Sequence, residues 1–184
     1  MIVVELSSER RSPSAASPEA DFALWVALSR VKGLGCVGFK KLASHFASPI
    51  DVFSAAPAEL QSIKGLEPEV IVNLAHFSGW KEAGEEVRRA LDAGIKLVPF
   101  TDPVYPARLR AIADPPPVLY VKGSLEPEDE RAVAIVGSRS ASEYGRGVAR
   151  DLARDLCALG FTVVSGMARG IDGTAHEAAL EAGG

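Results

Sequence analysis

The 184-residue chain reads as an α/β protein in two parts, a small all-helical domain followed by a partial parallel sheet with helices against it. Three observations predict this. From Asp21 to about Ser78, apolar residues recur at helical spacing and the segments are separated by short turns centred on glycine. After Gly79, short apolar runs bounded by Gly and Pro alternate with amphipathic stretches, the pattern of strands connected through helices. Hydrophobic residues make up 47% of the chain, enough for a packed core. The expected organisation is a disordered leader over 1–20, a helical domain over 21–79, and a strand–helix domain over 80–184 that is incomplete at its C-terminus.

The leader is expected from Ser7 to Glu19, which is small, polar and punctuated by Pro13 and Pro18. Asp21 is expected to cap a helix carrying Phe22, Leu24, Trp25 and Leu28. Two segments then resemble each other. Leu28-Ser29-Arg30-Val31-Lys32-Gly33-Leu34-Gly35 precedes a helix through Leu42, and Leu60-Gln61-Ser62-Ile63-Lys64-Gly65-Leu66 precedes a helix through Leu74. Their glycines lie 32 positions apart, and the second copy is degenerate because Glu67 stands where the first has Gly35.

A helix is expected over Lys81–Ala93, with Val87 and Leu91 inward and Gly94 ending it. Strands are expected at Ile95–Phe100, Val118–Val121, Ala132–Val136 and Phe161–Val164. Between the last two lies a helix over Glu143–Leu159, with Val148, Leu152, Leu156 and Leu159 on its inward face. Asp172 is expected to cap a final helix running to about Glu181. This alternation indicates a Rossmann-like parallel sheet. Two strand–helix units are thin for a buried parallel sheet, so the sequence reads as a fragment of a longer protein.

Several function classes are disfavoured. The net charge of −4 argues against an overall basic coat, so a nucleic-acid site must be a local patch. Cys36 and Cys157 stand far apart and fit a reducing cytoplasm, and His45, His76 and His176 show no metal-ligand spacing, so no metal is expected. No run approaches the ~18 apolar residues of a membrane span, and a cytoplasmic location is expected. There is no G-x-x-x-x-G-K-[ST] loop, and no catalytic triad or carboxylate pair can be assembled, so neither a catalytic residue nor a cofactor is assigned.

Three segments carry candidate chemistry. Val31 to Gly35 matches the turn of a helix-hairpin-helix motif. Gly33 and Gly35 permit a tight turn, amides at the next helix start can hold a phosphate, and Lys32, Lys40 and Lys41 add charge. The same fold also serves as a protein-interaction and spacer module, and both readings stay open. In Ala134-Ile135-Val136-Gly137-Ser138-Arg139-Ser140, a strand ends in Gly137, Ser138 and Arg139, at the sheet edge where ligands sit. Gly137 allows close backbone approach, Ser138 can donate to a phosphate oxygen, and Arg139 can grip it in a bidentate fashion.

The third segment, Ser165-Gly166-Met167-Ala168-Arg169-Gly170-Ile171-Asp172, follows the next strand. A right-handed parallel crossover brings it to the same edge, where its glycines can form an amide nest and Arg169 faces Arg139. The phosphate-binding candidates are therefore Gly137, Ser138, Arg139, Ser165, Gly166, Ala168, Arg169 and Gly170. Lys32, Gly33, Gly35 and His176 are weaker ones. From Arg131 to Arg169 the chain holds six Arg and three acids, a local net of +3. Arg146, Arg150 and Arg154 form a stripe on one helix face that reads either as a phosphate track or as an ordinary solvated face.

These blocks, together with Ala175-His176, Tyr105-Pro106-Ala107-Arg108-Leu109, Pro116-Pro117-Val118-Leu119-Tyr120 and Gly123, resemble the DprA/Smf family over roughly Asp21 to Gly184. The resemblance implies a SAM-like or helix-hairpin-helix domain followed by an extended Rossmann fold. It also implies binding and protection of single-stranded DNA, loading of the RecA recombinase in natural transformation, a homodimer, and no catalytic cycle. The missing C-terminal half implies weaker DNA binding and a monomeric state for this chain alone. Two other readings are kept: a nucleotide-hydrolysing enzyme of the lysine-decarboxylase-like Rossmann type, and a protein-binding scaffold built on the helical domain.

Overall fold

A computed structural model describes residues 18–184. Most of the expected leader lies outside the described residues. The chain divides into two compact units, one ending at Gly123 and the other beginning at Ser124.

In the first unit, helix α1 spans Pro18–Ser29. It starts three residues before the expected Asp21 cap. Proline, whose fixed φ suits the first helical position, opens it, and Asp21 lies in its first turn, where acids favour the positive end of the helix dipole. Leu24 to Leu28 are all buried in succession, so α1 is enclosed around its circumference rather than along one stripe. Around it lie α2 (Gly35–His45), α3 (Pro49–Ser54), α4 (Pro57–Ser62), α5 (Pro68–Ala75) and α6 (Trp80–Asp92). Prolines open α3, α4 and α5 as well. Trp25, Phe39 and Phe100 meet edge to face, with centroids 5.8 and 5.5 Å apart, and Phe53, Phe77 and Trp80 form a second aromatic group.

The sequence repeat is also a repeat of backbone geometry. Gly33 and Gly65 adopt φ of +80° and +77°, which L side chains avoid. The amides of Val31 and Leu34 donate to the carbonyls of Leu28 and Val31; those of Ile63 and Leu66 donate to Leu60 and Ile63. The two turns also hold each other. The ammonium of Lys41 on α2 donates to the Gly65 carbonyl at 2.8 Å, and the Asn73 amide on α5 donates to the Lys32 carbonyl at 2.9 Å. Positions 41 and 73 are separated by the same 32 residues as the glycines, so the latch is crossed.

The sheet departs from expectation in one pair. Strands β1 (Lys96–Pro99) and β2 (Val118–Val121) run antiparallel, with Lys96 opposite Val121 and Pro99 opposite Val118. The Phe100 amide donates to the Pro117 carbonyl at 2.9 Å, closing the loop at its base and returning the chain beside the strand it left. Helix α7 (Ala107–Ala111) lies within that loop. Its Arg110 guanidinium sits over the rings of both Phe100 and Tyr105 and donates to the Asp102 carbonyl at 2.5 Å, while the Tyr105 hydroxyl donates to the Pro116 carbonyl. Leu97 and Val118 join the helical core, so the unit extends to Gly123, past the expected boundary at Gly79.

One polar cluster clamps the first unit's surface. Glu86 on α6 accepts hydrogen bonds from the Arg30 guanidinium after α1 and from the Tyr120 hydroxyl on β2. Partial burial pushes the Glu86 carboxyl up, but the Tyr120 and Arg30 hydrogen bonds outweigh it and hold it below the usual carboxylate range. Burial, and then the adjoining carboxylate, push the Tyr120 phenol well above its ordinary value. A depressed folded-state pKa means that the stabilisation is complete above the unfolded value of about 4.3 and is lost as pH falls through the folded value. Glu86→Gln should therefore flatten the acid limb of a stability-against-pH curve below about pH 4.5. The loss at neutral pH should be only about 0.5–1 kcal/mol, because Arg30 is largely solvated. Urea denaturation at several pH values checks both.

The second unit opens with a 3₁₀ turn at Pro127–Arg131 and continues through β3 (Ala132–Ala134), α8 (Glu143–Ala158), β4 (Thr162–Val164) and α9 (Ile171–Glu181). Strands β3 and β4 are parallel, with Val133 opposite Val163. The Ser142 hydroxyl caps α8 by accepting the Gly145 amide at 3.2 Å. The inward face of α8 is only partly the expected one: Leu156 packs against the core, but the other three expected residues do not lead it. Ala149 and Ala153 are buried, whereas Val148, Leu152 and Leu159 are 41%, 50% and 65% exposed. Helix α8 turns its small residues toward α9, where Ala175, Ala178 and Ala179 complete an alanine-rich contact over Val163, and the short side chains let the two helices approach closely. Among the described residues, no helix is long and apolar enough to cross a membrane, and no group of three or more His, Cys, Asp or Glu is placed to hold a metal ion.

Candidate phosphate-binding site at two strand-end loops

The parallel pairing of β3 with β4 brings the two strand-end segments together, as the right-handed crossover requires. The loop after β3 carries Gly137, Ser138 and Arg139; the loop after β4 runs from Ser165 to Gly170. Their junction is tight. The Ile171 amide donates to the Ser138 carbonyl at 3.2 Å, and the Ser165 hydroxyl donates to the Ile135 carbonyl at 2.6 Å. Gly170 caps α9 with φ +93° and ψ −130°. A methyl there would stand 2.7 Å from the Arg139 carbonyl oxygen and closer still to that of Ser138. Met167 also has a positive φ, of 55°.

Asp172 is the fastener of this junction. Sequence reasoning expects it to cap its own helix, but its side chain instead reaches both loops. One carboxylate oxygen accepts the Gly137 amide at 3.1 Å and the other accepts the Gly166 amide at 3.2 Å, with Asp172 only 6% exposed. A carboxylate has acceptor sites on both oxygens and so can bridge two amides that no backbone carbonyl reaches. The amides expected to cradle a phosphate at Gly137 and Gly166 thus face an internal anion. The available signal was the position of Asp172, the first acid to follow the second glycine-bearing loop.

Between the loops lies a cleft of ≈ 610 Å³ lined by Arg139, Arg146, Met167, Arg169, Gly170 and Glu177, among others. Of the residues singled out in the sequence, Arg139, Ala168, Arg169 and Gly170 line it. Gly137, Ser138, Ser165 and Gly166 do not line it; Gly137 and Gly166 are bound to Asp172, and Ser165 to Ile135. The Ser138 hydroxyl accepts the Ser140 amide at 3.1 Å. His176 sits behind β4, its Nε2 3.4 Å from the Ser165 carbonyl.

Arg146 belongs to the cleft although the sequence offered it only as part of a helix stripe; it stands in the first turns of α8, directly after the β3 loop. The stripe itself divides, because Arg154 pairs with Glu181 at 2.8 Å. Among the described residues, neither Arg139 nor Arg169 has an ion-pair partner, and Arg146 donates only to the Ala141 carbonyl, at 3.5 Å. Three guanidiniums therefore line one cleft against a single carboxylate, Glu177. That is a local excess of positive charge on an acidic chain.

In the first unit, Lys32 is exposed and lies 3.7 Å from Glu69. Gly33 and Gly35 hold the positive φ that the first turn needs.

Comparisons with known proteins agree with one another. The family described as DNA recombination-mediator protein A matches residues 96–184. The protein Smf of Synechocystis is 33% identical over 166 residues, covering 88% of this chain and 42% of that protein. The DNA processing protein DprA of Bacillus subtilis is 39% identical over 94 residues, covering 50% of this chain and 32% of that one. The X-ray structure of DNA processing protein A from Streptococcus pneumoniae superposes with a TM-score of 0.64 at 26% identity, over 88% of this chain and 55% of that one. The chain thus spans about two fifths of Smf and about half of the solved chain. Family profile, curated relatives and solved fold converge on the DprA/Smf family of DNA-processing proteins as what this chain matches.

Proposed function

We propose that this chain binds the phosphate backbone of single-stranded DNA at the cleft lined by Arg139, Arg146 and Arg169. The observation that carries the reading is the trio of guanidiniums facing one cleft without carboxylate partners, at the carboxyl edge of a parallel strand pair. Arginine suits this task because its planar fork matches phosphate oxygens. A cleft of ≈ 610 Å³ is scaled to one strand's phosphates and sugars. Exposed Met167 on its rim offers an apolar surface beside them.

The names carried by the relatives, DNA processing and DNA recombination mediation, support the same direction. The complete protein, on this reading, acts in the cytoplasm as a homodimer that protects single-stranded DNA and loads RecA recombinase onto it during natural transformation. It works by binding rather than by turnover.

Fluorescence anisotropy with labelled oligo-dT, titrated with salt, tests this. Arg139→Ala combined with Arg169→Ala should weaken binding about 10- to 100-fold. It should also reduce the slope of log affinity against log salt by about 1.4, since each single-strand phosphate contact contributes roughly 0.7. An unchanged slope with unchanged circular dichroism would place the DNA elsewhere. The nucleotide-hydrolase reading rests on one observation, that Glu177 lines the same cleft as the arginines. Turnover of nucleoside monophosphates that disappears in Glu177→Gln would favour it.

A further inference from the structure

The first unit holds a second basic cavity, lined by residues of that unit. It has a volume of ≈ 530 Å³ and is open to solvent. Its wall is formed by α2, through Lys40, Lys41, Ser44 and His45, and by the second turn of the repeat, through Ser62 and Lys64. The sequence suggested phosphate contact at the first turn, with Lys32, Lys40 and Lys41 adding charge; the cavity takes Lys40 and Lys41 from the helix of that first copy and joins them to Lys64 of the second turn.

The way these cations are held is informative. The Lys40 ammonium donates to the Ile112 carbonyl at 2.5 Å, and that of Lys41 donates to the Gly65 carbonyl at 2.8 Å. Both are fixed in place by neutral oxygens. Among the described residues, no carboxylate pairs with Lys40, Lys41 or Lys64. At the margin, Glu59 lies 3.8 Å from His45 Nε2. An ammonium bonded to a carbonyl keeps its full charge and has two more protons to donate. Ordinary surface lysines pair with carboxylates or remain mobile. Here three lysines converge on one concavity, and two of them are anchored.

By contrast, Lys32 in the first copy faces Glu69, so its charge is offset. The two turns therefore differ electrostatically: among the described residues, Lys32 of the first faces a carboxylate and Lys64 of the second does not.

We propose that this cavity is a second anion site, taking a phosphate group held by Lys40, Lys41 and Lys64. The phosphate comes either from a nucleic-acid backbone or from a free polyphosphate. The site is independent of the arginine cleft, and the two can be read separately in one experiment.

The test is a ¹H–¹⁵N correlation titration of the whole chain at low salt, once with inorganic pyrophosphate and once with oligo-dT. Lys64→Glu is the variant, because Lys64 makes no contact that the fold uses. Pyrophosphate should shift amides of residues 40–45 and 62–65, and Lys64→Glu should weaken that response at least fivefold while leaving shifts of residues 139–146 and 167–174 unchanged. If oligo-dT moves the same helical amides, the phosphate is that of a DNA backbone. If pyrophosphate alone moves them, the natural ligand is a free polyphosphate. Either result supports the site. If neither probe moves the helical amides, or if Lys64→Glu leaves their response intact, the proposal is overturned, whatever the arginine cleft does.

Discussion

Replacing Gly170 with alanine should cost this protein more stability than any other single methyl at the strand-end loops. Two penalties add. The residue sits at φ +93° and ψ −130°, a region that only glycine occupies freely, and forcing another residue there costs on the order of 1–3 kcal/mol. The new methyl would also collide with the Ser138 and Arg139 carbonyls, which are backbone and cannot swing aside. The Ile171-to-Ser138 hydrogen bond, which ties α9 to the first loop, would have to lengthen or break. A total loss of about 3 kcal/mol or more follows, read as a fall in the urea midpoint. Oligo-dT affinity should fall with it, since Arg139 and Arg169 flank the displaced backbone. Alanine at Gly147, which has open space around it, is the control and should change the midpoint little.

The second large effect is expected at Asp172. Asp172→Ala leaves the amides of Gly137 and Gly166 without their shared acceptor, and each hydrogen bond to a charged group is worth about 1.5–3 kcal/mol. Because solvent can enter as the loops part, a combined loss of about 2–4 kcal/mol is the expected outcome. Asp172→Asn keeps one carbonyl acceptor but turns an amide group toward the other loop's N–H, so it should recover less than half of that loss. Hydrogen exchange at Gly137 and Gly166 gives a local readout. Both amides should exchange faster in Asp172→Ala, even at temperatures where α8 and α9 remain folded. A variant whose exchange rates are unchanged would show that Asp172 holds neither loop.

Much of this architecture was legible in the residues. Helical periodicity located α1, α6 and α8, and the alternation after Gly79 located all four strands, because these patterns depend on local spacing alone. The paired turns were visible because Val31-Lys32-Gly33-Leu34 and Ile63-Lys64-Gly65-Leu66 need the same backbone and hence similar residues. What escaped depends on contacts distant in the chain. The antiparallel return of β2 is set by a loop whose ends meet through Phe100 and Pro117. The inward face of α8 is set by how closely α9 approaches, which selects Ala149 and Ala153 over larger neighbours. The role of Asp172 was missed because a capping residue and a bridging carboxylate look identical in one dimension. Arg139 and Arg169 became candidates because strand ends define the ligand edge of a parallel sheet, and both line the cleft. Arg146 lines the same cleft, but in sequence a helix-face pattern explained it equally well.

The crossed latch in the helical unit bears on how this sequence can change over generations. Each half of the repeat leaves a turn carbonyl that only the other half reaches: Lys41 serves Gly65, and Asn73 serves Lys32. Deleting either copy would strand both a donor and an acceptor in the survivor. A second copy is thus part of each turn's hydrogen bonding, while positions outside the latch are free to differ, as Lys32 and Lys64 do in the charges they face.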